Sequence, residues 1–451
     1  MRAIEAYVDG VAGLPVVPTL EGDALHALVE SVDFDEPRAP DEVVALVARG
    51  LANGQVHTSH PRYFGLFNPP STTMGAIADA LAAAHNPQLA TRSHSPFATM
   101  IEDRLVREVG ARFGFAAQDI EGTFTSGGAE ANATALVCAL SAAFPAWNKG
   151  GARALPAAPE LYASSEAHHS LEKAARLAGL GDAAVRRVAT DPSMRMAPGA
   201  LRAAIATSRA AGRAPFLVVA TCGTTSAGVV DPLDDVAKVA QSERLWMHVD
   251  AAWGGLAALL PELRHLVVGA GRADSITFDA HKSLSVPMGA GMYLSRRPGA
   301  LAGAFGVHAQ YMPKGAEDDP YARTMQWSRR FIGLKLFMTL AACGWRGYEE
   351  ALRHQVEMGR LLRARLAADG WILRNETQLP IVCFVDGTRD DGASGRFLAG
   401  VARAVASRAW LSVTRVRGGS PVLRACITHP QTAPADVDTL VAELRRARGQ
   451  A

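Results

Sequence analysis

Three apolar stretches of this chain close on a polar residue at equal intervals. They end at Thr221, Asp250 and Asp279, 29 residues apart each time. The first, Phe216-Leu217-Val218-Val219-Ala220-Thr221, is continuously apolar, as expected of a strand in a parallel sheet covered on both faces. The interval holds a strand, a crossover helix and the next strand, which predicts right-handed βαβ units. Polar residues at successive strand ends then gather along one edge, where open α/β sheets place their ligands.

Composition bounds what such a sheet can serve. At 451 residues the chain can bury a large core in two or three structural units. Apolar residues make up 49% and charged residues 20%, the balance of an ordinary globular protein. A formal net charge of +2 gives no electrostatic support for binding nucleic acid or anionic membranes. No run of 18 apolar residues occurs, and Met1-Arg2-Ala3-Ile4-Glu5-Ala6-Tyr7 lacks the pattern of a signal peptide. The five cysteines (138, 222, 343, 383 and 426) lie far apart with no C-x-x-C, so they read as buried thiols of a cytoplasmic protein.

Residues 1–60 carry helical periodicity broken by prolines, with Asp41 as the expected N-cap of a helix over 41–48. This arm is expected to pack on the body or on a second subunit. Residues 61–335 carry the strand–helix alternation. Residues 336–451 begin helix-rich and end with two apolar strands, around Ile381–Val385 and Val422–Ile427, and a terminal helix. That pattern predicts a smaller α+β domain.

The strand ends carry chemistry. Asp250 follows Trp246-Met247-His248-Val249, and Lys282 follows Thr277-Phe278-Asp279-Ala280-His281. A lysine amine forms a Schiff base with an aldehyde, and a carboxylate pairs with a protonated pyridine nitrogen. Together they describe a site for pyridoxal 5′-phosphate (PLP), which narrows the chemistry to amino acids and related amines. Taken singly, Lys282 could be a solvated surface lysine and Asp250 a strand-end aspartate bonded to local backbone. Thr125-Ser126-Gly127-Gly128-Ala129-Glu130 leads into an Ala-rich helix whose free N–H groups suit a phosphate, although Gly-Gly before a helix is common. His168 follows a strand near the same edge and could stack on a pyridine face, or simply cap a helix. The Thr224-Thr225-Ser226 hydroxyls could bond the phosphate or serve as ordinary turn chemistry. No P-loop, dinucleotide fingerprint or H-E-x-x-H is present, so no metal site is expected.

In order, Thr-Ser-Gly-Gly-x-Glu-Ala-Asn, Ala-His-x-Ser, Gly-Thr-Thr, His-Val-Asp-Ala-Ala and Asp-x-His-Lys resemble the group II PLP-dependent decarboxylases. That family includes aromatic amino acid, glutamate, histidine and 2,4-diaminobutyrate decarboxylases. The likeness runs from about His60 to the C-terminus, with support from His60–Asn68, Ser95-Pro96-Phe97 and Ser328-Arg329-Arg330-Phe331. It implies PLP-dependent transferase fold type I and a homodimer with active sites at the subunit interface. It assigns the Schiff base to Lys282, the pyridine nitrogen to Asp250 with Ala252 beside it, and ring stacking to His168. Phosphate binding falls to Gly128 and Ala129, helped by Thr225 and His281. Asp279 stands near the phosphate, where many members have asparagine. A mobile loop, roughly 306–326, carries the tyrosine that protonates the substrate carbon, Tyr321 or else Tyr311.

The expected reaction is α-decarboxylation of an L-amino acid, Tyr321 or His168 returning the proton. Transamination, β-lyase chemistry and oxidative deamination use the same cofactor and remain open, and a non-catalytic PLP-fold binding protein is a remote alternative. Where aromatic members tend to have tryptophan before Ser-Pro, this chain has Thr91-Arg92-Ser93-His94. Arg92 and His94, with Asn68, are therefore candidate substrate residues, and a guanidinium would suit a second carboxylate.

Overall fold

A computed structural model describes residues 2–307, 318–389 and 395–450. Its centre is a seven-stranded sheet of β1 (Glu121–Thr125), β2 (Pro159–Ser164), β3 (Val185–Val188), β4 (Ala214–Thr221), β5 (Trp246–Asp250), β6 (Ser275–Asp279) and β7 (Gly291–Ser295). The spatial order is β1-β7-β6-β5-β4-β2-β3. β7 runs antiparallel to both its neighbours, and the pairings from β6 through β3 are parallel. Thr221 lies opposite Asp250, and Asp250 opposite Thr277, so the expected strand ends do meet at one edge.

Alternation along the strands divides the sheet into two covered faces. Val218, Ala220, Met247, Val249, Ile276 and Phe278 join one apolar cluster. Leu161, Ala163, Leu217 and Val219 join another, beneath the helices Gly128–Ala143 and Ser170–Leu177. On this second face β5 and β6 break the apolar rule. They place His248, Asp250, Ser275, Thr277 and Asp279 there, all buried.

The β4–β5 crossover is the helix Leu233–Glu243. The β5–β6 crossover is not the expected α-helix but three short 3₁₀ segments, Gly254–Ala258, Pro261–Val267 and Ala270–Arg272. Close packing explains this. A Cβ built on Gly254 would come 2.2 Å from the Cys222 carbonyl oxygen, so the chain turns tightly against the end of β4 before it can wind a helix.

A second, antiparallel sheet has the order β10 (Ser412–Val416), β11 (Ser420–Cys426), β9 (Ile381–Asp386), β8 (Trp371–Leu373). The helix Leu334–Ala368 joins the two cores, breaking at Gly344 (φ 64°, ψ 175°). Its Leu336 and Leu352 enter the large core, and Leu362 and Leu366 the small one. The N-terminal arm forms Arg2–Gly10, Gly22–Glu30 and Pro40–Asn53. Here Pro40 takes the first helical position after Ala39, so Asp41 lies inside the first turn rather than at the cap. Of the cysteines, Cys343 is exposed, contrary to expectation, and the other four are buried.

One buried ion pair ties the entry of the long helix to the body. Arg329 donates to Glu102 at 2.5 Å, with side-chain exposures of 4% and 5%, and Glu102 also accepts the Gly333 N–H. Burial raises the Glu102 pKa, which Arg329 opposes. Glu102→Ala leaves the guanidinium buried without a counter-charge and is expected to cost about 3–5 kcal/mol. Urea unfolding checks this, and a loss below about 1 kcal/mol would place the pair among inconsequential surface contacts.

Candidate active site

β1 ends at Thr125, and Ser126-Gly127 turn the chain into the 16-residue helix Gly128–Ala143. Glu130 accepts from both the Ser126 N–H and its hydroxyl, closing that turn. The first N–H groups of a helix have no intrahelical partner, so the Gly128 and Ala129 amides start an anion-binding end. A side chain at 128 would crowd the end of β6. An added Cβ would lie 2.9 Å from Asp279 Oδ2 and 3.2 Å from the Ala252 Cβ.

One turn further on, Asn132 crosses to the sheet. Its Nδ2 donates to Asp250 Oδ2 at 2.9 Å and to Ser170 Oγ at 2.8 Å. Its Oδ1 accepts from Thr277 Oγ1 at 2.8 Å and lies 3.1 Å from His248 Nε2. The other Asp250 oxygen accepts the Ala252 N–H at 3.1 Å. Asp250 is 7% exposed, so these bonds replace most of its hydration.

At the end of β6, Lys282 Nζ lies 2.9 Å from Asp279 Oδ2, and His281 Nε2 lies 3.7 Å from the same oxygen. His281 Nδ1 accepts the Ala290 N–H, and burial lowers its pKa. His168 sits at the mouth, its side chain accessible and its Nδ1 accepting the Ser170 N–H at 3.2 Å. Flanking protein lowers its pKa. Asp250 and Asp279 oppose that shift, and Lys282 reinforces it. All three charges therefore act on one imidazole.

Aromatic packing closes the other side. Phe67 stacks on Trp253 at 4.4 Å, with Lys282 Nζ 5.8 Å and the Arg424 guanidinium 4.6 Å from its ring centroid. Arg424, from β11, donates to the carbonyls of Thr225 and Gly65, and its buried Nη2 has no partner.

The remaining candidates are dispersed. Thr225 is exposed and touches this cluster through its carbonyl. Asn68 donates to Met288 Sδ at 3.4 Å. The Arg92 guanidinium is committed to Asp103 at 2.5 Å and to the Asp318 carbonyl, with the Asp319 carboxylate on its backbone N–H. His94 is exposed. Tyr321 is buried beside Ala90 and 4.7 Å from the Trp327 ring. Tyr311 lies outside the described residues. Sequence reasoning missed Asn132, His248, Thr277, Phe67 and Arg424 as parts of the site. A signal existed for two of them, because His248 and Thr277 are polar at every-second positions in strands otherwise apolar.

The site fits PLP. Ser164 Oγ, Thr221 Oγ1 and Asp279 Oδ1 are buried orphans at the ends of β2, β4 and β6. An amine, an anchored carboxylate, a helix start and an accessible imidazole share that edge.

Comparison with known proteins agrees. Residues 25–386 match the pyridoxal-dependent decarboxylase conserved domain. The rat (Rattus norvegicus) cysteine sulfinic acid decarboxylase is 32% identical over 420 residues, 88% of this chain and 84% of that protein. The aromatic-L-amino-acid decarboxylase of Bacillus atrophaeus is 29% identical, over 85% of this chain and 80% of its own. The crystal structure of Oryza sativa TDC with PLP and tryptamine superposes with a TM-score of 0.91 at 25% identity, covering 99% of this chain and 95% of that one. The architecture is thus the fold type I expected from the resemblance, and PLP is the cofactor.

Burial pushes the His248 pKa down to about 4 from the ordinary 6.5. The unfolded chain then binds the proton more readily, so the stability contributed by neutral His248 is complete above pH 6.5 and is lost as pH falls toward 4. His248→Phe is expected to flatten the stability–pH slope in that window by on the order of 3 kcal/mol. His429, also pushed to about 4, would keep its share. Urea midpoints between pH 4 and pH 7 measure the slope, and an unchanged slope would contradict the burial argument.

Proposed function

This chain belongs to the pyridoxal-dependent decarboxylase family, and from that premise we propose that it removes the α-carboxylate of an L-amino acid as CO₂ and releases the amine. The observation that carries the reading is the sheet edge that gathers Lys282, paired with Asp279, and Asp250, fixed by Asn132 and Ala252. When bound, PLP supplies an aldehyde for the amine and a ring that accepts the electrons of the broken bond.

The chain's own residues do the rest. Lys282 would hold the cofactor through its amine. Asp250, fixed by Asn132 and Ala252, keeps a proton on the ring nitrogen. The Gly128 and Ala129 amides take the phosphate, with Thr225 and His281 near it. His168 would contact the ring. Tyr321 or His168 returns the proton to the α-carbon. Tyr321 packs against Trp327, so its action at the α-carbon would require the side chain to leave that ring. Phe67 and Trp253 wall the site against water, which strengthens every charge interaction inside.

Substrate choice is assigned to Arg424 rather than Arg92. Arg92 is paired with Asp103, whereas Arg424 has a buried N–H without a partner and shares the Phe67 ring with Lys282. An acidic substrate side chain would satisfy that group. A homodimer fits the arm, whose Phe34, Val44, Val47 and Leu51 are exposed and would be covered by a second copy.

CO₂ release from a panel of acidic, basic and aromatic L-amino acids is the direct test. Release with one equivalent of amine, fastest for acidic members, is expected. Amine-free turnover, or none, would sink the reading, and Lys282→Ala should abolish turnover with the fold intact. Asp279→Asn removes a fixed negative charge from beside the expected phosphate. It should raise affinity for PLP several-fold relative to pyridoxal, which lacks the phosphate, and an equal change for both would remove Asp279 from the phosphate site.

A further inference from the structure

We propose that Asp250 is held as an oriented carboxylate by a hydrogen-ordered relay running from Trp246 through Ser275, His248 and Asn132, with Thr277 bracing its centre. Asn132 and His248 are thereby positioning residues for the cofactor's ring nitrogen. The inference rests on the reading of Asp250 given above and adds what sets that carboxylate.

The hydrogens of this cluster can be placed from donor chemistry alone. An indole N–H only donates, and Trp246 Nε1 lies 2.9 Å from Ser275 Oγ. Ser275 Oγ lies 2.8 Å from His248 Nδ1, and it donates there because Asn132 Oδ1, which only accepts, faces the other ring nitrogen. His248 Nδ1 is therefore an acceptor, and the neutral ring carries its hydrogen on Nε2. That N–H meets Asn132 Oδ1 and Thr277 Oγ1, both at 3.1 Å. The Thr277 hydroxyl donates to the same Oδ1 at 2.8 Å. An ionised carboxylate only accepts, so the Asn132 atom facing Asp250 is its amide nitrogen, which agrees with an Oδ1 that receives two donors on the opposite side.

Every link has one direction, and the direction ends on Asp250. Reversing any one of them would set two donors or two acceptors face to face in a dry interior, where His248, Ser275 and Thr277 have no exposure. Burial lowers the His248 pKa, so the ring stays neutral and carries a single hydrogen. The register fixes the parts: His248 pairs with Ser275 and Asp250 with Thr277 across β5 and β6.

The test compares two ligands on the cofactor-free full-length protein, PLP and its 1-deaza analogue, in which carbon replaces the ring nitrogen. Dissociation constants are read by quenching of protein fluorescence. Asn132→Leu is expected to weaken PLP binding roughly 10- to 100-fold, the loss of one hydrogen bond to a charged group, and to leave the deaza analogue nearly unchanged. Equal weakening of both would make Asn132 a merely structural residue and overturn the proposal. Asp250→Ala is the control. If it too fails to discriminate, the Asp250 reading itself falls; if it discriminates and Asn132→Leu does not, the relay alone falls. Should Asn132→Leu not fold, Trp246→Phe tests the far end. A roughly 2- to 5-fold loss confined to PLP is expected, and a loss shared by both ligands overturns the relay.

Discussion

A carboxylate inside a sheet covered on both faces is the constraint on which the site depends. Little water reaches it, so its partners come from protein, one of them from an element distant in the chain. Asp250 takes Asn132 from the helix Gly128–Ala143 and Ala252 from its own strand end. Hydrogen bonds to charged groups contribute about 1.5–3 kcal/mol each, enough to fix how far the helix lies along the sheet. Gly128 and Asn132 are four residues apart and share one face of that helix. Holding Asn132 over Asp250 therefore sets Gly128 against Ala252 and Asp279. The end suited to phosphate and the end suited to a ring nitrogen are spaced by one helical turn.

The charges at this edge are balanced locally. Asp279 is 1% exposed and pairs with Lys282, its partner one turn along. Burial disfavours the charged forms of His248 and His281. Lys282 is thus the cation matched to a buried carboxylate here, and Arg424, stacked on Phe67, supplies positive charge from the second sheet. An aspartate at 279, where many relatives by resemblance have asparagine, gives the lysine a counter-charge that an amide could not.

Much of this was legible because it is local. Strand ends at Thr221, Asp250 and Asp279 follow from apolar runs and spacing, and the turn at Gly127-Gly128 from its residues. What was not legible depends on contacts across the chain or on packing. The β5–β6 crossover reads as room for a helix, and only the approach of Gly254 to Cys222 shows why none forms. Arg92 invites a substrate role until the helix Pro96–Arg112 brings Asp103 beneath it. Asn132 reaches a partner 118 positions away, which no periodicity predicts. The polar alternation of His248 and Thr277 was visible, but its meaning required knowing that both lie under one helix.

The same distinction explains why the motifs name a cofactor and leave the substrate open. The five ordered motifs sit at or just beyond the ends of β1, β2, β4, β5 and β6, the side where Gly128, His168, Asp250 and Lys282 gather. The opposite wall comes from Phe67, Trp253 and Arg424, drawn from an early loop, the 3₁₀ crossover and the second sheet. Arg424 ties the early loop and the turn after β4 to the second sheet through the carbonyls of Gly65 and Thr225. A wall built from separate segments can change one side chain at a time without disturbing the bonds that fix Asp250. Selectivity can therefore vary while the cofactor side stays constant, and the proposed acidic preference would be set at a buried arginine with an unmet N–H.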